Sequence, residues 1–236
     1  MRYVLWDFDG TLATRERMWS GALWDALLTV TPDLPCDFED VRPFMQVGFP
    51  WHDWHIPHYH LDTPEKWWSS IFPLFSRAAS AFGCDDIAAE KIAIVAKSNY
   101  LDITKWRLAP YAMDVLMSLN LSGWKNVIVS NHVPELPQLV EGLGIAPVIE
   151  TIFSSANVGV DKPHPEFFEF VLRGLGEIEY ACVVGDSVVA DIGGARKANL
   201  PAILVGTSDV TADIAVATLR EVPSALDVLA KGTSAR

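Results

Sequence analysis

The N-terminal stretch from Tyr3 to Thr11 limits the possible folds more than any other part of the chain. Its sequence, YVLWDFDGT, begins with an unbroken apolar run and then carries two carboxylates, Asp7 and Asp9. Continuous apolar runs of this kind are typical of strands buried on both faces, as in parallel sheets. Ligands bind at the carboxyl ends of such strands, so both aspartates lie where chemistry is expected. A solvated turn or a helix cap is the alternative for an Asp-x-Asp pattern taken alone.

The second half of the chain alternates between helical patterns and short apolar runs that are typical of buried strands. These runs lie at residues 127–129, 149–153, 181–184 and 202–205. The alternation predicts an α/β fold with a Rossmann-like parallel sheet covered by helices on both faces. A further strand and a helix are expected within residues 215–229.

Residues 15–105 have a different sequence pattern: apolar residues recur at helical spacing, aromatic side chains are frequent, and no strand pattern is convincing. This spacing is typical of helices, and Thr63-Pro64 is a helix-start signal. We therefore expect a discontinuous α/β core domain, residues 1–14 and 106–236, and an inserted helical cap domain, residues 15–105.

The charge of the chain argues against several classes of partner. The formal net charge is −12 and the isoelectric point is near 4.8, whereas nucleic-acid binders and proteins of acidic membrane surfaces need basic patches. No apolar run approaches the ~20 residues of a membrane span, and the N-terminus lacks the pattern of a signal peptide. Cys36, Cys84 and Cys182 are widely spaced, which indicates reduced thiols. We expect a cytoplasmic monomer or homodimer that acts on a small molecule.

Polar residues follow the predicted strands or lie in the loops beside them. They are Ser130, Asn131, Lys162, Asp186 and Asp191. Because the carboxyl ends of parallel strands meet at one edge of a sheet, these side chains are expected to gather around Asp7 and Asp9. Several carboxylates with one lysine and one hydroxyl suit a hard divalent cation such as Mg²⁺ together with a phosphoryl group.

The motifs resemble those of the haloacid dehalogenase-like (HAD) superfamily, in its phosphatase branch. Four occur in the family's order: D-F-D-G-T from Asp7, Ser130-Asn131, Lys162-Pro163, and the G-D-x-x-x-x-D pattern that ends at Asp191. The insertion after the first motif resembles the family's helical C1 cap. The resemblance implies a HAD fold and a Mg²⁺-dependent phosphatase of a small phosphorylated metabolite, such as the phosphoglycolate phosphatase type.

The resemblance also implies a role for each motif residue. Asp7 would be the nucleophile that forms an aspartyl-phosphate, and Asp9 would act as general acid and base. The catalytic set would be Asp7, Asp9, Ser130 and Lys162. The phosphate-binding set would be Ser130, Asn131, Lys162, Gly10 and Thr11. The metal ligands would be Asp7, Asp9, Asp186 and Asp191. A structural acid at the start of a helix is the alternative role for Asp191.

Asp9 helps to separate the branches of this superfamily. Its dehalogenases carry a non-acidic residue at this position and need no metal, so Asp9 with Asp186 favours phosphoryl chemistry. A phosphomutase of the β-phosphoglucomutase kind shares the same motifs and stays open, as does a binding protein on a HAD scaffold without activity.

Four of the six histidines lie within residues 52–60. Their spacing does not match H-E-x-x-H or a zinc finger. This segment is interpreted as an irregular aromatic link, a substrate-facing loop or a structural metal site. His132 is expected at the edge of the site and His164 as a helix cap, and neither is assigned a catalytic role.

Overall fold

The computed structural model describes residues 1–233, which form eight strands and ten α-helices. The strands are β1 (Arg2–Trp6), β2 (Ala13–Arg15), β3 (Trp106–Leu108), β4 (Trp124–Ser130), β5 (Thr151–Ser154), β6 (Tyr180–Gly185), β7 (Ala202–Val205) and β8 (Ile214–Val216). The helices are α1 (Met18–Val30), α2 (Phe38–Val41), α3 (Pro64–Ala81), α4 (Asp86–Leu101), α5 (Ala112–Leu121), α6 (Leu136–Gly142), α7 (Ser155–Val158), α8 (Pro165–Leu175), α9 (Gly193–Lys197) and α10 (Val222–Thr233).

Six strands form one parallel sheet in the order β5-β4-β1-β6-β7-β8. Strand β1 lies between β4 and β6, with Leu5 level with both Val127 and Val183. Leu5 and Trp6 are fully buried, as a strand covered on both faces requires. The sheet confirms the predicted α/β, Rossmann-like core. The expected additions near the C-terminus are present as β8 and α10.

Helices α1 to α4 lie between β2 and β3, which pair antiparallel as a separate two-stranded ribbon. In the ribbon Ala13 is opposite Leu108 and Arg15 is opposite Trp106. The chain thus leaves the sheet and returns to it through adjacent strands. We infer a domain boundary at this ribbon, close to the predicted divisions at residues 15 and 105.

The helical insertion has an aromatic interior. Helix α3 begins as its sequence predicts, with the Thr63 hydroxyl accepting a hydrogen bond from the backbone N–H of Lys66 at 3.3 Å. Trp67 and Trp68 are buried, and Trp19 of α1 stacks on Tyr100 of α4 with ring centroids 3.6 Å apart. Across residues 1–233, no helix combines the length and apolarity needed to cross a bilayer.

A buried hydrogen-bond network fixes β1 against its neighbour β4. Asn126 of β4 accepts a 2.9 Å bond from Trp6 Nε1 and donates to the carbonyls of Leu116 at 2.9 Å and Val148 at 3.2 Å. Asn126 is fully buried, so no water replaces these bonds if its amide is lost. The network therefore joins the strand that carries Asp7 to the elements around it.

We predict that Asn126→Ala lowers the free energy of unfolding by about 1–3 kcal/mol, because it leaves the buried Trp6 N–H without its acceptor and removes the side-chain donor to the Leu116 carbonyl. Urea denaturation followed by circular dichroism measures this loss. Asn157→Ala is the matched control, since Asn157 is exposed and makes a 3.3 Å bond to the Pro134 carbonyl; a change within about 0.5 kcal/mol is expected there. Equal losses in the two variants would contradict the role given to Asn126.

Candidate active site

The end of β1 places two carboxylates at the edge of the sheet. Asp7 is only 6% exposed, and its backbone N–H donates to the Val184 carbonyl at 2.8 Å, which continues the pairing with β6. Gly10 then turns the chain with φ +87°. A Cβ at this position would lie 2.3 Å from Asp186 Oδ2, so glycine is required both for the turn and for the close approach to that carboxylate.

The ammonium group of Lys162 is the centre of the site. Its Nζ donates to Asp7 Oδ1 at 2.7 Å, to Asp191 Oδ1 at 2.6 Å and to the Val129 carbonyl at 2.8 Å. These three acceptors match the three donors of an ammonium group. Burial opposes the charged form, but the carboxylates of Asp191 and Asp7 outweigh it and raise the pKa of Lys162. Lys162 is therefore a fixed positive charge.

Residues at the end of β4 position both Lys162 and Asp7. The Asn131 side chain accepts from the backbone N–H of Lys162 at 2.7 Å and donates to its carbonyl at 2.8 Å. Ser130 Oγ donates to Asp7 Oδ1 at 3.0 Å. Asn131 is predicted to bind phosphate. In the structure it lines the pocket, and its side chain is hydrogen-bonded to the backbone of Lys162.

The end of β6 contributes two further carboxylates. Asp191 lies in a π-helical turn, Val188–Ile192, and its Oδ2 accepts from the backbone N–H of Ser187 at 3.0 Å while its Oδ1 holds Lys162. Asp186 reaches solvent, and Thr11 Oγ1 lies 3.5 Å from its Oδ1. Partial burial and the nearby carboxylate of Asp7 raise the pKa of Asp186 to about 6. Burial likewise raises the pKa of Asp191, and Lys162 opposes that effect.

Three of these carboxylates could share one cation. Asp7, Asp186 and Asp191 each offer an oxygen, and the three oxygens lie within 4.8 Å of one another. Carboxylate oxygens are the donors that hard cations such as Mg²⁺ prefer. Burial and the nearby Asp7 carboxylate, which together raise the pKa of Asp186, both disfavour its charged form, and a bound cation would offset them.

Two buried side chains that received no catalytic assignment surround Asp9. The Tyr100 hydroxyl donates to Asp9 Oδ2 at 3.4 Å, and His132 Nε2 lies 3.4 Å from Asp9 Oδ1 and 3.3 Å from the Tyr100 hydroxyl. His132 stands where its position after Ser130-Asn131 suggested. Tyr100 lies at the end of α4, on the apolar face of that helix, and nothing in its local sequence indicates a contact with Asp9.

The histidines of residues 52–60 have other partners. His52 Nδ1 accepts from the backbone N–H of Phe49 at 3.2 Å, and the buried His58 places Nε2 2.9 Å from Asp161 Oδ2. Among the described residues, the one group of three or more possible metal ligands is the aspartate cluster, so a second metal site gains no support. His164 caps α8, as expected, by accepting from the backbone N–H of Glu166.

The site opens into a pocket of about 360 Å³. From the sheet edge it is lined by Asp7, Asp9, Ser130, Asn131, Lys162, Asp186, Ser187, Ala190 and Asp191. From the helical insertion it is lined by Met18, Trp19 and Trp51. The structure thus brings the predicted catalytic residues into one cavity. Of the predicted phosphate-binding residues, Gly10 and Thr11 lie beside Asp186 and not in the lining.

The sequence from residue 1 to residue 199 matches the haloacid dehalogenase-like hydrolase family. The chain belongs to this family. Haloacid dehalogenase-like hydrolase domain-containing protein 3 of Mus musculus is 29% identical over 162 residues, which cover 66% of this chain and 62% of the relative. Phosphoserine phosphatase of Thermus thermophilus is 29% identical over 143 residues, which cover 57% of each protein. The matches therefore span about three fifths of each relative's length.

The HAD-like fold is also shared with an enzyme of different chemistry. One similar structure is that of L-2-haloacid dehalogenase from Xanthobacter autotrophicus with chloropropionic acid covalently bound. The match covers 95% of this HAD-like chain and 98% of the dehalogenase chain. Its TM-score is 0.67 and its sequence identity is 19%. The fold alone therefore leaves the reaction open, and the side chains of the pocket must decide it.

We predict that Mg²⁺ stabilises this HAD-like hydrolase more at pH 7 than at pH 5. The pKa of about 6 for Asp186 means that this carboxylate is mostly protonated at pH 5 and ionised at pH 7, when it can bind a cation. At roughly ten times its dissociation constant, Mg²⁺ adds about 1.4 kcal/mol, or ~3–6 °C in Tm. Thermal unfolding with and without Mg²⁺ at both pH values measures the effect.

Without Mg²⁺, the free energy of unfolding should decrease as the pH rises. Since the folded-state pKa of Asp186 is above that of the unfolded chain, stability falls as the pH rises from about 4 to about 6. Asp186→Asn removes both the titration and a ligand, so this part of the pH dependence should vanish. An equal Mg²⁺ effect at pH 5 and pH 7 in the unmutated protein would contradict the assignment.

Proposed function

We propose that this HAD-like hydrolase is a Mg²⁺-dependent phosphatase that cleaves a small phosphate monoester through an aspartyl-phosphate on Asp7. The observation that carries this proposal is the arrangement around Asp7: a second aspartate two residues later, a buried ammonium 2.7 Å away and a hydroxyl 3.0 Å away, all in one pocket. The similarity to a phosphoserine phosphatase over 57% of this chain supports the same reaction class.

The donor set at the pocket fits Mg²⁺. Asp7 and Asp186 would hold the ion together with the backbone carbonyl of Asp9, the atom that the family resemblance implies. Both oxygens of Asp191 are engaged, by Lys162 and by the Ser187 N–H, so we assign Asp191 mainly to holding the lysine. When bound, Mg²⁺ would supply positive charge that offsets the charge of the phosphoryl oxygens.

Asp7 would attack phosphorus and displace the alcohol oxygen of the ester. Ser130 and Lys162 both bond to Asp7 Oδ1, which leaves Oδ2 as the oxygen that forms the new O–P bond. Water would then attack the same phosphorus, break that bond, release inorganic phosphate and restore the Asp7 carboxylate. Lys162 contributes a fixed positive charge in a buried site, where its effect on a developing negative charge is large.

Asp9 would move the proton in both steps. It would protonate the departing alcohol oxygen in the first step and take a proton from the attacking water in the second. The Tyr100 hydroxyl and His132 Nε2 each lie 3.4 Å from an oxygen of Asp9 and 3.3 Å from each other. These contacts restrict the rotation of the Asp9 carboxylate. A halide leaves without a proton, so an acid at this position favours an ester oxygen as the leaving atom over a carbon–halogen substrate.

We predict that Asp7→Asn lowers kcat for p-nitrophenyl phosphate by more than about 1000-fold, because an amide oxygen is too weak a nucleophile. The release of p-nitrophenol in the presence of Mg²⁺ measures the rate. Asp33→Asn is the control, since Asp33 is exposed and lies outside the pocket. Thermal unfolding of each variant separates a loss of chemistry from a loss of fold. Ordinary turnover by Asp7→Asn would overturn the proposed mechanism.

We predict a loss of about 100- to 10,000-fold in kcat for Asp9→Asn with an ordinary alkyl phosphate, which needs a proton on its leaving oxygen. A smaller loss in the first step is expected with p-nitrophenyl phosphate, whose phenolate leaves more easily. Burst-phase kinetics with both substrates measures the two steps. An equal fall in the rate of the first step for both substrates would contradict the assignment of Asp9 as the general acid.

A further inference from the structure

The part of the pocket contributed by the helical insertion is apolar. Met18, Trp19 and Trp51 line it, opposite the aspartates and Lys162 of the sheet edge. Trp19 is only 8% exposed and stacks on Tyr100, so its role is partly structural. Trp51 is half-buried, and its surface at the pocket is available to a ligand. The end of the pocket remote from the nucleophile thus presents flat apolar surface.

Trp51 is held in place by aromatic neighbours. Its ring stacks on Phe49 with centroids 4.7 Å apart and planes 6° apart, and it also lies 6.0 Å from Trp19 and 6.4 Å from Trp67. Phe49 is itself buried. A side chain fixed in this way loses little conformational entropy when a ligand packs against it. Trp51 is therefore a preorganised binding surface.

Within residues 1–233, the pocket offers no spare positive charge for a second anionic group. Lys162 is the cationic residue of the lining, and its three N–H groups are already bonded to Asp7, Asp191 and the Val129 carbonyl. Four aspartates line the same cavity. A carboxylate on the leaving group would lie near these negative charges without a cationic partner, which is unfavourable. A neutral leaving group avoids that cost.

The size of the pocket is compatible with such a leaving group. About 360 Å³ is near the lower end of the ~300–1,000 Å³ found for small-molecule sites. This volume accommodates a phosphoryl group and one ring.

From these observations, and resting on the proposed phosphatase function, we infer that the preferred substrate is a phosphate monoester of a neutral alcohol that carries one flat apolar or aromatic ring. Met18, Trp19 and Trp51 contact the ring while the phosphoryl group lies against Asp7 and Lys162. Trp51 is then a specificity-determining residue, and monoesters whose leaving group carries a carboxylate and no cationic group, such as 3-phosphoglycerate, are poor substrates.

The test compares three substrates in the presence of Mg²⁺: 2-phenylethyl phosphate, ethyl phosphate and 3-phosphoglycerate. All three release an unactivated primary alcohol, so differences between them report contacts remote from phosphorus. We expect kcat/KM for 2-phenylethyl phosphate to exceed both others at least tenfold. A kcat/KM for 3-phosphoglycerate or ethyl phosphate equal to or above that of 2-phenylethyl phosphate would overturn the inference and leave the phosphatase function standing. Absence of phosphate release from every ester, p-nitrophenyl phosphate included, would overturn both.

Variants at Trp51 link the preference to this ring. Trp51→Ala should lower the ratio of kcat/KM between 2-phenylethyl and ethyl phosphate about tenfold, and Trp51→Phe should restore most of it. Trp54→Ala is the matched control, because Trp54 lies in the same segment, stacks under the Lys197 ammonium at 4.2 Å and does not line the pocket. An unchanged ratio in Trp51→Ala, or an equal fall in Trp54→Ala, would overturn the role of Trp51.

Binding to an inactive variant gives a second measurement that does not depend on turnover. In Asp7→Asn with Mg²⁺, isothermal titration should show 2-phenylethyl phosphate binding at least tenfold more tightly than ethyl phosphate. Equal affinities would contradict the inference even if the rates differed.

Discussion

The site depends on one buried interaction, the ammonium of Lys162 between Asp7, Asp191 and the Val129 carbonyl. These partners come from β1, from the turn after β6 and from β4, so a single cation joins the ends of the three central strands. A buried charge is costly unless it is fully paired, and removing one partner from such a pair typically costs about 3–5 kcal/mol. The same bonds that stabilise this edge of the sheet therefore fix the position of the proposed nucleophile.

Much of the fold could be predicted from the sequence because its patterns are local and repeated. The apolar run at residues 3–6 and the β–α alternation after residue 106 are typical of a parallel sheet, and the observed strand order places β1 between β4 and β6, whereas β5 lies at the edge and is only partly buried. The ends of elements were less predictable. The turn at Val188–Ile192 is π-helical, and in it Asp191 bonds to the Ser187 N–H and to Lys162. The contact with Lys162 joins residues 29 positions apart, and no local pattern encodes it.

The residues of the candidate site also divide into those that local motifs predict and those that only the tertiary structure reveals. Residues in short motifs, such as Asp7, Lys162 and Asp186, could be placed together because parallel strands end at one edge. Tyr100 and Trp51 could not be placed there from the sequence, because tertiary packing of the helical insertion brings Tyr100 to Asp9 and Trp51 to the pocket. A tyrosine at a helix end or a tryptophan in an irregular segment has many other structural roles. The histidines of residues 52–60 stand out by composition, yet the pocket is lined by Trp51, the residue directly before them.

The position of Trp51 relative to Asp7 is itself fixed by a buried polar contact. Asp161, next to Lys162 in the chain, is 1% exposed, and His58 lies against it at 2.9 Å. The backbone N–H of His58 also donates to the Gly159 carbonyl at 2.7 Å. Since a buried carboxylate without a partner is costly, separating this pair is unfavourable, and the segment that carries Trp51 stays against the loop that carries Lys162. These contacts thus help to set the distance between the apolar surface and the nucleophile, the distance on which contacts remote from phosphorus depend when they select a substrate.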